Sequence, residues 1–256
     1  MCAGRAVAVT SGFVGAADGA HLDLGAVANA VADPASDVRL AEVAPCRTVI
    51  ALGMGRVSVH AKDLGGGTIG YIAVTGFSDN SQTKFHEALQ ADLKDGKKRI
   101  ILDLRGDPGG YVTAARSIAS EFIKDGPIFW EQDADGTTTE TDATGDGIAT
   151  DPSIKLVVLV DKGSASASEI VAGALQDTKR ATIVGETSFG KGTVQQWIQL
   201  QNGSALKLTI AKWLTPDKHW IHHVGIIPDV PVVTPADASP TNDPALDKSV
   251  ELLTKA

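Results

Sequence analysis

At 256 residues, 43% apolar and 21% charged, the chain has ordinary globular composition and the length for one large domain or two small ones. A net charge of −8 argues against nucleic-acid binding and offers no basic stripe for anionic lipid. Cys2 and Cys46 make neither a disulfide framework nor a metal set, and no apolar run reaches the ~18 residues of a membrane span.

Met1–Lys62 is rich in Ala, Val, Asp and Gly and has no convincing helical period. Within it Ala6–Ala17 is mildly apolar behind Arg5, but Thr10, Ser11 and Gly12 interrupt it, so it reads as a poor signal peptide. From Gly65-Gly66-Gly67 the pattern sharpens. Ile69–Val74 reads as a strand, and Ser81–Lys94 as a helix with Phe85, Leu89 and Leu93 on one face, closed by Asp95-Gly96. Arg99–Leu104 is a buried strand ended by Pro108-Gly109-Gly110, residues that permit a tight turn and close backbone approach. A helix is expected over Val112–Lys124, and a hairpin or exposed loop over the acidic, Thr-rich Glu131–Asp151. Ile154–Val160 is short, β-branched and apolar, as a strand buried on both faces must be.

After that strand comes Gly163-Ser164-Ala165-Ser166-Ala167-Ser168-Glu169, and Glu169–Gln176 reads as a helix. Ala181–Val184, Thr193–Leu200 and Leu206–Ile210 read as further strands. Thr234 onward is a Pro- and Ser-containing linker-like tail, with a short helix over Ala245–Lys255. Strand–helix alternation with later strand pairs is an α/β pattern, and no internal repeat is present.

Ser166 therefore sits where a strand end meets a helix start. Unpaired N–H groups and the positive end of the helix dipole suit a developing oxyanion there. No histidine separates it from Lys191, which lies between Gly190 and Gly192. A lysine with a depressed pKa can serve as the base a serine nucleophile needs. Two rival readings stand beside this one. Ser166-Ala167-Ser168-Glu169 is also a helix capping box, a role that can coexist with catalysis. Gly185 to Lys191 is also G-x-x-x-x-G-K, but Gly192 stands where a phosphate loop needs Ser or Thr, and the next residues alternate like a strand. His219, His222 and His223 lack a Cys or carboxylate set to complete a zinc site, and read as a polar, aromatic loop near the site.

Taken together, Asp103–Gly110, Gly163–Ile170, Gln176-Asp177 and Phe189–Gln195 resemble the C-terminal processing peptidases, or tail-specific proteases, over roughly Gly67 to Val232; Trp213–Pro216 and Gly225–Val230 add to the likeness. The resemblance implies a ClpP/crotonase-like layered α/β protease core and a serine endopeptidase that cuts protein substrates near their C-termini. By position it implies that Ser166 is the nucleophile and Lys191 the general base. By the same resemblance Gln195 is expected to orient the lysine, Asp177 to be a supporting acid, and the backbone N–H groups of Ala167 and Gly110 to form the oxyanion hole. Where the family usually has Asn, this chain has Asp107.

The resemblance divides the chain into an N-terminal segment 1–62, diverged or truncated and without a recognisable PDZ domain, a protease core 63–232 and the tail 233–256. It implies protein or peptide partners, no cofactor, no metal and no nucleic acid, and it leaves a homo-oligomer open. It implies an extracytoplasmic (periplasmic or secreted) location, with the cytoplasm as alternative since no clear signal peptide is visible. The competing functions are a non-catalytic ligand- or peptide-binding protein on the same core and a magnesium-dependent NTPase.

Overall fold

The computed structural model describes Val7–Thr10, Phe13–Ala16 and residues 59–199, 205–235, 239 and 242–255. Its contacts divide the chain into Met1–Arg56 and Val57–Ala256. In the first unit, β1 (Val7–Thr10) and β2 (Phe13–Ala16) pair antiparallel. Expectations for the rest of that unit lie outside the described residues.

The second unit is built on a six-stranded sheet. Its strands are β3 (Val59–Leu64), β4 (Ile69–Val74), β5 (Arg99–Asp103), β8 (Lys155–Val160), β9 (Thr182–Gly185) and β12 (Val230–Pro231). They lie in the order β12-β9-β8-β5-β4-β3, all parallel except the β3/β4 pair. An antiparallel sheet of order β10-β11-β6-β7 joins Thr193–Gln199, Ala205–Leu214, Pro127–Gln132 and Thr138–Asp142 respectively. The β6/β7 pair is a hairpin over Pro127–Asp142, which begins before the expected Glu131–Asp151 and ends short of it.

Side-chain alternation along a strand explains the layering. Ile100, Leu102, Leu156, Val158 and Val160 point into one apolar cluster, shared with α1 (Ser81–Lys94), α2 (Val112–Ser120) and α3 (Ala167–Asp177). Their neighbours Ile101, Val157 and Leu159 point into a second, which α4 (Pro244–Lys255) covers with Ala245 and Leu253. The middles of the central strands, Ile100–Leu102 and Leu156–Val160, are continuously apolar because both faces are covered, with Arg99, Asp103 and Lys155 at the strand ends. Burying each Val, Leu or Ile contributes about 1.5–3 kcal/mol. α2 ends at Ser120, short of the expected Lys124, and the chain turns there with Phe122 N–H donating to Ala119 O at 3.1 Å.

Candidate active site

Three loops leave the C-terminal ends of three adjacent parallel strands, the usual place for a site in such sheets. β8 leads to Ser166, β5 on one side leads to Asp107-Pro108-Gly109-Gly110, and β9 on the other leads to Lys191. Motifs far apart in sequence therefore meet because their strands are neighbours.

Ser166 has φ 58° and ψ −114°, a backbone conformation unfavourable for a residue with a Cβ. A strained residue of this kind costs about 1–3 kcal/mol and persists only where its surroundings over-determine it. Here they do. Ser166 N–H donates to Glu169 Oε2 at 2.8 Å, its carbonyl accepts Ile170 N–H at 3.0 Å, and Ala165 N–H donates to Asp107 O at 2.9 Å. The strain is what turns the serine out at the helix start.

Glu169 was legible in the sequence only as the acid of a capping box, and its larger task was not. It is fully buried and accepts four hydrogen bonds. Oε2 takes the N–H of Ser166 and that of Lys191, both at 2.8 Å, while Oε1 takes Ser188 Oγ–H at 2.5 Å and Gly190 N–H at 2.6 Å. The backbone nitrogens of Ser166 and Lys191 thus share one oxygen atom, which brings the proposed nucleophile and base segments together. The donor set fills the acceptor sites of a carboxylate. Only the fold reveals that three of those donors come from the loop after β9.

The Lys191 loop is held from its other side as well. Trp213 Nε1–H donates to Lys191 O and Trp220 Nε1–H to Gly192 O, each at 2.8 Å, and His223 N–H donates to Gly190 O at 3.0 Å. His222 stacks on Trp220, with ring centroids 5.2 Å apart. His219 lies apart from these two, its Nδ1 3.9 Å from Asp177 Oδ1. Gly192 is followed by β10, not by the helix a phosphate loop requires.

The Gly109-Gly110 turn lies against Ser166. Gly109 has φ 94°, and a Cβ built on it would stand 2.8 Å from both Ser166 Cβ and Ala167 N. Gly110 bridges Phe77, and a Cβ there would stand 1.9 Å from Phe77 O. Only glycine fits either position. The Gly109 N–H is committed to Asp107 Oδ1 at 2.7 Å. Among the described residues the N–H groups of Gly110 and Ala167 have no protein acceptor.

The remaining expected site residues lie farther out. Gln195 is exposed on β10 beside a register shift at Val194/Gln195, and its side chain has no hydrogen bond among the described residues. Asp177 stands at the opposite end of α3 from Ser166, about 15 Å along the helix axis. There Asp177 Oδ2 accepts Asp217 N–H at 2.9 Å and anchors the turn after β11.

The family model described as peptidase family S41 matches residues 68–232. A carboxyl-terminal-processing protease from Synechocystis is 39% identical over 193 residues, covering 74% of this chain and 44% of that protein. Carboxy-terminal processing protease CtpB from Bacillus subtilis is 38% identical over 199 residues, covering 77% of this chain and 39% of that protein. Among solved structures, a photosystem II D1 C-terminal processing protease aligns with a TM-score of 0.63 at 31% identity, over 79% of this chain and 53% of that one. The chain thus spans less than half the length of these two curated relatives.

Proposed function

The chain belongs to peptidase family S41, and from that premise we propose that it is a serine endopeptidase acting on protein substrates near their C-termini through Ser166 and Lys191. Ser166 Oγ attacks the scissile carbonyl. Neutral Lys191 takes the hydroxyl proton and returns it to the leaving amine, and the N–H groups of Ala167 and Gly110 hold the oxyanion. For this the lysine pKa must fall from about 10.4 to ~7–8. Gln195 orients the lysine, and Asp177 supports the site only by anchoring the turn after β11. The observation that carries the reading is the single oxygen of Glu169 shared by the Ser166 and Lys191 N–H groups, beside two N–H groups with no protein acceptor among the described residues.

Tyr111 follows Gly110 directly and Phe189 lies two residues before Lys191; at 54% and 65% exposure they offer a substrate peptide apolar surface at the rim. Residues 63–232 act as the protease core, with 1–62 and 233–256 flanking it. An extracytoplasmic location belongs to the same proposal; among the described residues no helix is long and apolar enough to cross a membrane.

The test is a serine-directed fluorophosphonate followed by peptide mapping, with the adduct expected on Ser166. Stoichiometric labelling of Ser164, Ser168 or Ser188 instead would overturn the assignment. A second expectation concerns Gln195. Gln195→Ala is expected to lower turnover about tenfold, the effect of losing an orienting hydrogen bond of ~1.5 kcal/mol that Gln195 would make to Lys191 in the reacting complex. Gln196→Ala and Gln199→Ala, on the same exposed strand, should change it little. Equal, mild effects at all three positions in a peptide-cleavage assay would remove Gln195 from the mechanism.

A further inference from the structure

Asp107 is fully buried in the turn after β5, yet only one of its carboxyl oxygens is used. Oδ1 accepts Gly109 N–H at 2.7 Å, whereas Oδ2 is buried without a partner among the described residues. Its backbone carbonyl accepts Ala165 N–H at 2.9 Å and Ser168 Oγ–H at 3.0 Å. One residue thus ties the Gly-Gly turn to the chain on both sides of Ser166.

We propose that Asp107 is the positioning residue of the oxyanion turn and works as a neutral carboxylic acid. Its Oδ1 holds Gly109 N–H so that Gly110 N–H is presented beside that of Ala167. Loss of its proton places a buried negative charge beside the developing oxyanion and slows the reaction. The inference rests on the peptidase reading of the same site.

Electrostatics favour the neutral form. A buried carboxylate with an orphaned oxygen is costly, whereas the protonated acid leaves only a neutral group unpaired. Burial pushes the Asp107 carboxyl up to about 7, and the hydrogen bond from Gly109 offsets part of that rise. The charged groups on neighbouring elements are engaged elsewhere. Arg105 is bound to Asp103 and Asp243, Asp161 accepts the N–H groups of Gly106 and Gly163, and Glu169 holds its four donors. Tyr111 is exposed, and the loop after β9 carries Lys191.

The two ionisations act in opposite directions. Rising pH frees the lysine base and raises activity, while it charges Asp107 and lowers activity. Comparison with Asp107→Asn isolates the second, because the amide keeps an acceptor for Gly109 and does not titrate near neutrality. Stability carries an independent signature. The folded-state pKa of Asp107 is raised above its ordinary 3.8, so the folded protein holds this proton more tightly than the unfolded chain. Stability from this group is therefore lost as pH rises from about 4 to about 7, and stays lost above that.

The experiment measures kcat/KM on a peptide substrate across pH for wild type, Asp107→Asn and Asp107→Ala, with Ser166→Ala as the blank, and Tm across the same range. The ratio of Asp107→Asn to wild type is expected to rise about tenfold per pH unit above ~7. Asp107→Ala is expected to lose turnover at every pH, and Asp107→Asn to restore it. The Tm gap between Asp107→Asn and wild type should widen up to about pH 7 and then hold. Wild-type turnover in Asp107→Ala overturns the positioning role, and a pH-independent activity ratio overturns the effect of its charge on the reaction. A Tm gap that does not change with pH overturns the neutral acid, whatever the activity. Cleavage that survives Ser166→Ala would instead sink Ser166 as the nucleophile, and no cleavage by the wild type would sink the peptidase reading itself.

Discussion

Ser166→Ala is expected to lower peptide turnover by roughly 10⁴–10⁶-fold, the loss seen when a nucleophile is deleted from an otherwise intact site. The fold should survive, since the strained backbone is held through the Ser166 N–H and C=O. The neighbouring serines should behave in the opposite way. Ser164 Oγ–H donates to Leu104 O at 2.8 Å while its oxygen accepts Asp161 N–H at 2.9 Å, and Ser168 Oγ–H donates to Asp107 O. Removing either buried hydroxyl strands a partner and is expected to destabilise by about 1–3 kcal/mol. Cleavage kinetics and thermal melts on the three alanine variants separate the cases. Wild-type turnover in Ser166→Ala would end the assignment.

Lys191→Arg is expected to be as inactive as Lys191→Ala, each falling by roughly 10²–10⁴-fold, the usual contribution of a general base. Guanidinium keeps the positive charge but stays protonated at any working pH, so it cannot accept the serine proton. The two readings of Lys191, base or mere cation, therefore part at this variant. Near-normal turnover in Lys191→Arg would make the residue a binding cation. In Asp107→Asn, where the opposing titration is absent, activity should rise with pH through the lowered lysine pKa. A flat profile there, with chemistry rate-limiting, would exclude lysine as the base.

Much of this was determined by local sequence, because local forces decide it. The strands at Ile69–Val74 and Lys155–Val160 and the helix at Ser81–Lys94 follow from apolar period and turn residues alone. The Gly109-Gly110 turn was legible for the same reason, since glycine is what remains where a Cβ cannot fit. Ser166 and Lys191 could be singled out by residue type and spacing.

What brings those residues together was decided by tertiary structure. Strand order is a matter of non-local pairing, and nothing in Thr182–Gly185 says that it lies beside β8, or that β5 lies on the other side. For that reason Glu169 read as a capping residue, while three of its four donors arrive on a loop from a different strand. Asp107 was visible in the sequence only as a departure from the family's usual Asn. Its burial, and the orphaned oxygen that makes its proton matter, exist only once α3 and the loop after β8 have closed over it. Desolvation is a property of everything packed around a group, and no stretch of sequence adjacent to that group contains it.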